Sequence, residues 1–235
     1  MSSKILTEKA IQYLLEDHLS NIDMLEPLRR GTADILYAEN DGVVIHERNS
    51  HAYMISMQDL EKCQSIIDFG KYRLFAVHQN NIADWIRKKG RFSNRFEVCQ
   101  AVYGRNETFE GHFDSIRVLS YEYIDQICRN YDAMDDRQYI EKLIDKKQLW
   151  GIFDNDALAG FIGEHLEGSM GLLEVLPEYR RKGYGYKLET FLINHFLQLN
   201  VIPFCQVRIN NSESLALQKK IGMEISELTT FWISD

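Results

Sequence analysis

Cysteine is sparse in this sequence. Four cysteines occur among 235 residues, and their positions are scattered: Cys63, Cys99, Cys128 and Cys205. Zinc ribbons need C-x-x-C pairs, and disulfide frameworks need more cysteines in a shorter chain. The spacing therefore predicts buried free thiols, and we expect no metal site.

Long apolar runs are absent as well. No stretch reaches the ~20 apolar residues that a membrane-spanning helix needs. The N-terminus lacks the basic-then-apolar pattern of a secretory signal. We therefore expect a cytoplasmic protein that does not act at a membrane. Prolines number three, and there is no low-complexity segment.

The common nucleotide-binding loops are also missing. The sequence contains neither G-x-x-x-x-G-K-[ST] nor a G-x-G-x-x-G followed by a ribose-binding acid. Kinase, GTPase and Rossmann interpretations lose support. The formal net charge of −8 argues against non-specific binding to nucleic acid or to a membrane surface. We therefore expect no nucleic-acid partner.

The most informative feature that is present is Arg180-Arg181-Lys182-Gly183-Tyr184-Gly185, which follows an apolar run and opens a long helical pattern. Glycines allow a tight turn that exposes backbone N–H groups. A helix start adds unpaired N–H groups and a partial positive charge. Together they form an anion cradle suited to a phosphate or pyrophosphate. An ordinary strand-to-helix turn is the alternative, and the three basic residues favour phosphate.

Two motifs resemble those of GNAT superfamily N-acetyltransferases. The family loop [Q/R]-x-x-G-x-[G/A] reads Arg180-x-x-Gly183-x-Gly185. The family helix N-x-x-A-x-x-L-Y-x-K-x-G-F has its counterpart in Asn211-x-x-Ser214-x-x-Leu217-x-x-Lys220-x-Gly222-Met223. The resemblance implies an α+β (mixed α/β) GNAT fold over the C-terminal half. It also implies an N-acetyltransferase that uses acetyl-CoA as co-substrate.

The order of predicted elements nearly repeats along the chain, as α-βββ-α-β-α-β and then β-αα-βββ-α-β-α-β. The first helix is predicted from Thr7, with an apolar stripe that continues to Ile22. The polar segment Gly104–Asp114 is the predicted boundary. We predict a smaller, degenerate GNAT-like lobe at 1–110 and a GNAT N-acetyltransferase domain at 114–235.

The first lobe is expected to bind no CoA. Ser56-Met57-Gln58-Asp59 stands where an R-x-x-G-x-G loop would lie. An N-terminal lobe of this kind resembles the glycine N-acyltransferase-like two-lobe branch of the superfamily. Independent convergence on a similar lobe is the alternative.

The resemblance assigns roles to the cradle and its neighbours. Backbone N–H groups of the cradle would hold the CoA pyrophosphate, and the residues concerned are Arg181, Lys182, Gly183, Tyr184, Gly185 and Tyr186. Arg180 would stabilise the loop or pair with phosphate. The strand end from Leu173 to Val175 would splay from its neighbour and pair with pantetheine. Asn211 would contact the pantetheine, cap the following helix, or do both.

The acceptor amine must lose a proton, and a carboxylate is the expected base. Glu164, Glu167 and Glu174 are candidates on or beside the third and fourth strands. Glu174 is favoured because it interrupts an apolar run, where partial burial raises the pKa of a carboxyl. The alternative is that Glu174 points at solvent or pairs with Arg180 or Arg181. The cysteines lie outside both motifs, so a direct attack on the thioester is expected.

The sequence departs from the family at Gln218, where many members carry a Tyr that protonates the leaving thiolate. A nearby Tyr (Tyr179, Tyr184 or Tyr186) would substitute, or CoA would leave as the thiolate, whose thiol has a pKa near ~8.5. The third alternative is a non-catalytic acyl-CoA-binding or sensing protein.

The expected partner is a small-molecule or peptide amine, a cationic one being slightly favoured by the acidic C-terminal half. An oligomer is compatible with the sequence.

Overall fold

The structure is a computed structural model, and it describes residues 3–131 and 136–235. Residues 1–2 and 132–135 of the two predicted lobes lie outside the described residues. The helices of the described residues, in chain order, are α1 (Ser3–Leu14), α2 (Ile22–Arg29), α3 (Leu60–Ile66), α4 (Asn80–Gly90), α5 (Ile124–Asn130), α6 (Arg137–Asp145), α7 (Tyr184–Gln198) and α8 (Ser212–Ile221). None of these helices is both long enough and apolar enough to cross a bilayer.

The strands alternate with these helices along much of the chain. In chain order they are β1 (Ala33–Glu39), β2 (Gly42–Glu47), β3 (Tyr53–Met57), β4 (Phe75–Val77), β5 (Asn94–Val102), β6 (Ile116–Val118), β7 (Leu149–Asp154), β8 (Ala157–Glu164), β9 (Met170–Val175), β10 (Phe204–Arg208) and β11 (Glu224–Ser234). The predicted mixed α/β class is confirmed.

The chain divides into two compact units. The first comprises the chain up to Val102 together with Gln206–Lys219 and Met223–Asp235, and the second comprises Tyr103–Cys205 and Lys220–Gly222. The division passes through β10 and α8. The assignment of a degenerate lobe to 1–110 and a GNAT domain to 114–235 stays a prediction.

The first unit contains a sheet with helices on both faces. Its strand order is β1-β2-β3-β4-β11-β5, with Gln206–Arg208 of β10 next to β5. Strands β3 and β4 are parallel, whereas β11 is antiparallel to both β4 and β5. Successive residues of a strand face opposite sides. Val43 and Ile45 accordingly pack with α1 and α2, and Val44 packs with α3 and α4.

The second unit is built on the antiparallel meander β6-β7-β8-β9. The first two residues of β10 continue it, with Cys205 paired to Met170 of β9 in parallel. A turn at Asp154-Asn155-Asp156 joins β7 to β8. Asn155 and Asp156 have φ values of 49° and 67°, which suit the right-handed twist of a two-residue hairpin.

Helices cover this meander with two sets of apolar side chains. Helices α5 and α6 contribute Ile127 and Leu143 to a core that includes Phe161 and Leu172. Helix α7 contacts β7, β8 and β9. Its buried apolar residues are Leu188, Leu192, Ile193 and Phe196. Helical spacing also predicts a buried Leu199, but this residue follows the end of the helix and is 58 % exposed.

Candidate functional site

Strand β9 bends just before the cradle. Its pairing with β8 shifts register between Phe161 and Gly163, and Leu172 has a φ of 51° while being 1 % exposed. A bulge of this kind bends a strand and re-aims the residues that follow. A non-glycine residue in this conformation is strained, and burial of the leucine side chain holds it there. The strand end Leu173–Val175 therefore leaves the bulge in a fixed direction.

Gly160 allows β8 to approach that strand end closely. It pairs with Val175, and a Cβ at Gly160 would lie 2.6 Å from the carbonyl oxygen of Glu174. Real Cβ atoms do not approach backbone oxygen so closely, so only glycine fits. No sequence pattern indicates this requirement.

The turn after β9 has the form expected of the cradle. Arg181 and Gly183 both have positive φ, 67° and 85°, and α7 begins at Tyr184. The N-cap residue of α7 is Gly183, which has no side chain to cap the first turn. The Lys187 N–H donates to the Gly183 carbonyl at 3.1 Å. The backbone N–H groups of Tyr184, Gly185 and Tyr186 therefore come before the first i-to-i−4 hydrogen bond of the helix. Gly183 makes the turn, whereas Gly185 is the second residue of the helix.

Arg180 ties the cradle back to β9. Its Nε donates to the Val175 carbonyl and its Nη2 donates to the Glu174 carboxylate, both at 3.0 Å. The Glu174 side chain is 25 % exposed and that of Arg180 is 58 % exposed. Of the arrangements expected for Glu174, the pairing with Arg180 is the one present. A role for Glu174 as the base stays a prediction.

Asp154 supplies negative charge beside the cradle. The Lys182 Nζ lies 3.5 Å from the Asp154 carboxylate and 5.0 Å from the centre of the Tyr179 ring. Burial, and then the hydrogen bond of its hydroxyl to Asp154, raises the pKa of Tyr184. Asp154 thus balances part of the cationic charge of the cradle, a contact that the sequence did not predict.

A second group of side chains lies around Tyr186, in the first turn of α7. Phe109 meets its ring edge to face at 6.3 Å, and the Lys220 ammonium lies 5.4 Å from the ring centre. The Asn194 side chain exchanges two hydrogen bonds with the Phe109 backbone, at 2.8 and 2.9 Å. Asn194 thereby fixes the segment that precedes β6 against α7, and nothing in the sequence marks it.

The other two candidate bases lie at the opposite end of β9. Glu164 pairs with Met170, the first residue of the strand, and Glu167 accepts a hydrogen bond from the Ser169 hydroxyl at 2.7 Å. From Met170 to Val175 a strand extends roughly 16 Å. Of the three predicted carboxylates, only Glu174 adjoins the cradle.

The second motif forms the start of α8. The Asn211 Oδ1 accepts from the Ser214 N–H at 3.0 Å, so the predicted helix cap is confirmed. Its contact with pantetheine stays a prediction. Gln218 is buried in α8, at 2 % exposure, and its backbone carbonyl accepts a hydrogen bond from the Met223 N–H at 3.0 Å.

Cys63 and Cys99 are poorly suited to act as nucleophiles. All four cysteines are free, and three are buried. Burial raises the pKa of Cys63 to about 12 and also raises the pKa of Cys99. A thiol held in the neutral form is a poor nucleophile. Among the described residues, no group of three or more His, Cys, Asp or Glu side chains could hold a metal ion.

Comparisons with known proteins bear on this geometry. Residues 150–233 match the model of a family described as FR47-like protein. No curated protein matches the chain significantly. Among solved structures, a Drosophila protein from structural genomics is 14% identical, with 99% of this chain and 96% of that chain covered and a TM-score of 0.72.

Two further solved structures decide the fold. A GCN5-related N-acetyltransferase-like protein from Streptococcus suis is 16% identical, with 97% of this chain and 99% of that chain covered, at a TM-score of 0.58. An acetyltransferase from the GNAT family of Colwellia psychrerythraea is 14% identical, covering 100% and 98%, at a TM-score of 0.55. This chain has the GNAT fold. The likeness extends over nearly the whole chain, and the predicted fold class is confirmed. Within the GNAT fold, the Arg180–Tyr186 loop falls inside the FR47-like match.

Proposed function

We propose that the protein is an acetyl-CoA-dependent N-acyltransferase that transfers an acetyl group to a primary amine. The observation that carries this proposal is the start of α7. Gly183, in a left-handed conformation, is the N-cap of a 15-residue helix and has no side chain with which to cap it. The helix start follows the bulged strand β9 after the short connection 176–182, and it lies within the R-x-x-G-x-G sequence.

The cradle suits the pyrophosphate of CoA. Backbone N–H groups from Arg181 to Tyr186 would donate to it, and the helix dipole would favour its charge. A Cβ placed on Gly183 would meet no atom within 4 Å, so there is space beside the turn for a ligand. When pyrophosphate binds, the Lys182 ammonium would leave the Asp154 carboxylate and pair with phosphate oxygens. Arg180 holds the loop to the strand and need not leave Glu174 to do so.

The strand end would hold the rest of the cofactor. Backbone groups of Leu173 and Val175 would pair with pantetheine and orient the thioester. An N–H group there would stabilise the oxyanion that forms on the thioester carbonyl. The bulge at Leu172 supports this role because it sets the direction of these groups.

Chemistry follows by direct attack. The amine nitrogen bonds to the thioester carbonyl carbon, the C–S bond breaks, and the sulfur leaves with the electron pair. Glu174, the acid at the cradle end of β9, takes the amine proton through a water molecule. Its pairing with Arg180 fixes where the carboxylate lies.

The leaving group is best described as a thiolate. Gln218 has no proton to give, and burial and Asp154 raise the pKa of Tyr184 above its ordinary value. An acid less acidic than a thiol, whose pKa is ~8.5, gives little help to a departing thiolate.

The remaining assignments are parts of the same proposal. The first lobe belongs to the glycine N-acyltransferase-like two-lobe arrangement and binds no CoA, which leaves one CoA site per chain. The acceptor is a small-molecule or peptide amine, and the protein acts in the cytoplasm without nucleic acid, membrane or metal.

Release of free thiol from acetyl-CoA, measured across a panel of primary amines, tests the function. We expect release that depends on both the enzyme and an amine. Binding of acetyl-CoA without release for any amine would instead support the acyl-CoA-sensing alternative that Gln218 suggests.

A further inference from the structure

A cavity of about 310 Å³ lies within the second unit, away from the cradle. It is lined by Lys146, Lys147, Gln148, Trp150, Glu164 and His195. These residues follow the end of α6, begin β7, end β8 and lie in the last turn of α7. The volume is at the lower end of the range for ligand pockets, roughly 300–1,000 Å³. The volume suits a small molecule.

The cavity is distinct from the proposed CoA site. Glu164 pairs with Met170, the first residue of β9, whereas the cradle follows the last residue of that strand. On α7, His195 lies three turns beyond Tyr184, which is roughly 16 Å along the helix axis. A molecule in this cavity and the pyrophosphate in the cradle would thus lie at opposite ends of β9 and α7.

The inner wall of the cavity offers hydrogen-bond acceptors. Glu164 is 6 % exposed. The Gln148 Oε1 is buried and has no hydrogen-bond partner among the described residues. A buried acceptor without a donor is costly, and a bound N–H group would satisfy it. Burial lowers the pKa of His195, and its ring lies 5.1 Å from that of Trp150.

The rim of the cavity is cationic. Lys146 and Lys147 follow the C-terminus of α6 and are exposed. Lys147 has a φ of 57°. The Lys147 N–H donates to Ile144 and the Gln148 N–H donates to Leu143, both at 2.9 Å. This helix-ending geometry fixes the backbone of both lysines at the rim.

We propose that the cavity binds a small zwitterion, an amino acid in the broad sense. Its ammonium group donates to Gln148 and Glu164, and its carboxylate pairs with Lys146 and Lys147. A simple anion leaves the Gln148 acceptor without a donor and brings its charge towards Glu164. A simple cation has no negatively charged group to pair with Lys146 and Lys147. The proposal does not depend on acyl transfer.

Trp150 supplies the reporter for a test. The chain has three tryptophans, so protein labelled with 5-fluorotryptophan gives three fluorine resonances, and Trp150→Phe identifies the one of interest. The probes are β-alanine, 4-aminobutyrate and 6-aminohexanoate, with butylamine and butyrate as single-charge controls. We expect at least one amino acid to shift the Trp150 resonance saturably. Butylamine and butyrate should bind about tenfold more weakly or not at all.

Two variants and a matched control locate the contacts. Glu164→Gln should weaken binding about tenfold and Lys146→Ala severalfold. Lys142→Ala, on the exposed side of α6, should have no effect. The Trp85 and Trp232 resonances report whether each variant stays folded. Gly183→Val should leave the Trp150 shift intact, which separates this site from the cradle.

Three results would overturn the proposal. One is the absence of a Trp150 shift with every amino acid at high millimolar concentration. The second is equal affinity for 4-aminobutyrate and for either single-charge control. The third is an equal effect of Lys142→Ala and Lys146→Ala.

Discussion

The Arg180 guanidinium bonds both the Val175 carbonyl and the Glu174 carboxylate, each at 3.0 Å. One side chain therefore links the loop that would hold pyrophosphate to the strand end that would hold the thioester. The only predicted base next to the cradle is a partner in the same link. Substitutions of Arg180 and Glu174 should therefore be coupled, yet the first should affect acetyl-CoA binding and the second the chemical step.

Glu174→Gln should lower kcat by about 10²- to 10⁴-fold while acetyl-CoA affinity changes little, because the amide cannot take a proton. Arg180→Gln should instead weaken acetyl-CoA binding about tenfold, because the loop loses its tie to β9. Steady-state kinetics and calorimetry separate the two effects. Glu178→Gln, an exposed acid on the same loop, is the control. Undiminished kcat in Glu174→Gln would remove this residue as the base.

Gly183→Val and Gly31→Val form a matched pair. Both glycines have positive φ, 85° and 67°, and neither has an atom within 4 Å of a new Cβ. Each substitution should lower the free energy of unfolding by roughly 1–2 kcal/mol through backbone strain. Only Gly183→Val should abolish acetyl-CoA binding, since only this turn orients the cradle N–H groups. Equal acetyl-CoA affinity in the two variants would show that Gly183 has no role in binding.

Asp154→Asn should strengthen acetyl-CoA binding about two- to fivefold, because Lys182 would no longer have to break an ion pair with a carboxylate before it pairs with phosphate. The gain should shrink as salt is added. Asp156→Asn is the control, since it lies in the same hairpin turn, and Asn also tolerates its positive φ. Calorimetric titrations at two ionic strengths measure the effect. Weaker binding in Asp154→Asn would mean that Asp154 helps to shape the cradle.

His195 should make stability depend on pH. Burial lowers its pKa, and the Glu164 charge opposes that shift. Below the unfolded pKa of about 6.5, the unfolded chain binds a proton that the folded chain does not, so the free energy of unfolding falls as pH drops towards the folded pKa. His195→Gln should flatten this part of the curve, as should His46→Gln, since burial also lowers the pKa of His46. Urea denaturation across this range measures the slope, and an unchanged slope in His195→Gln would contradict the assignment.

Local sequence signals predicted much of the fold. The bounds of α8, Ser212–Ile221, and the β7–β8 turn match the structure. The apolar stripe predicts one helix from Thr7 to Ile22, but α1 begins at Ser3 and ends at Leu14, and α2 begins at Ile22. Helical spacing carries through a short break, so spacing alone does not reveal where one helix ends.

Contacts between residues that are distant in the chain could not be predicted from the sequence. The sequence predicts a final extended segment at 225–233, but it does not predict the neighbours β4 and β5, because alternation marks a strand and not the strands beside it. The same holds for the site. The R-x-x-G-x-G spacing located the cradle, whereas the Asp154 contact with Lys182 and the Gly160 contact with Glu174 join residues that are distant in the chain.

Calorimetric titration of the whole protein with acetyl-CoA tests the central claim most directly. The cradle at the start of α7 predicts saturable binding with one site per chain, competed by free CoA. No heat of binding at millimolar acetyl-CoA, or unchanged binding in Gly183→Val, would contradict it.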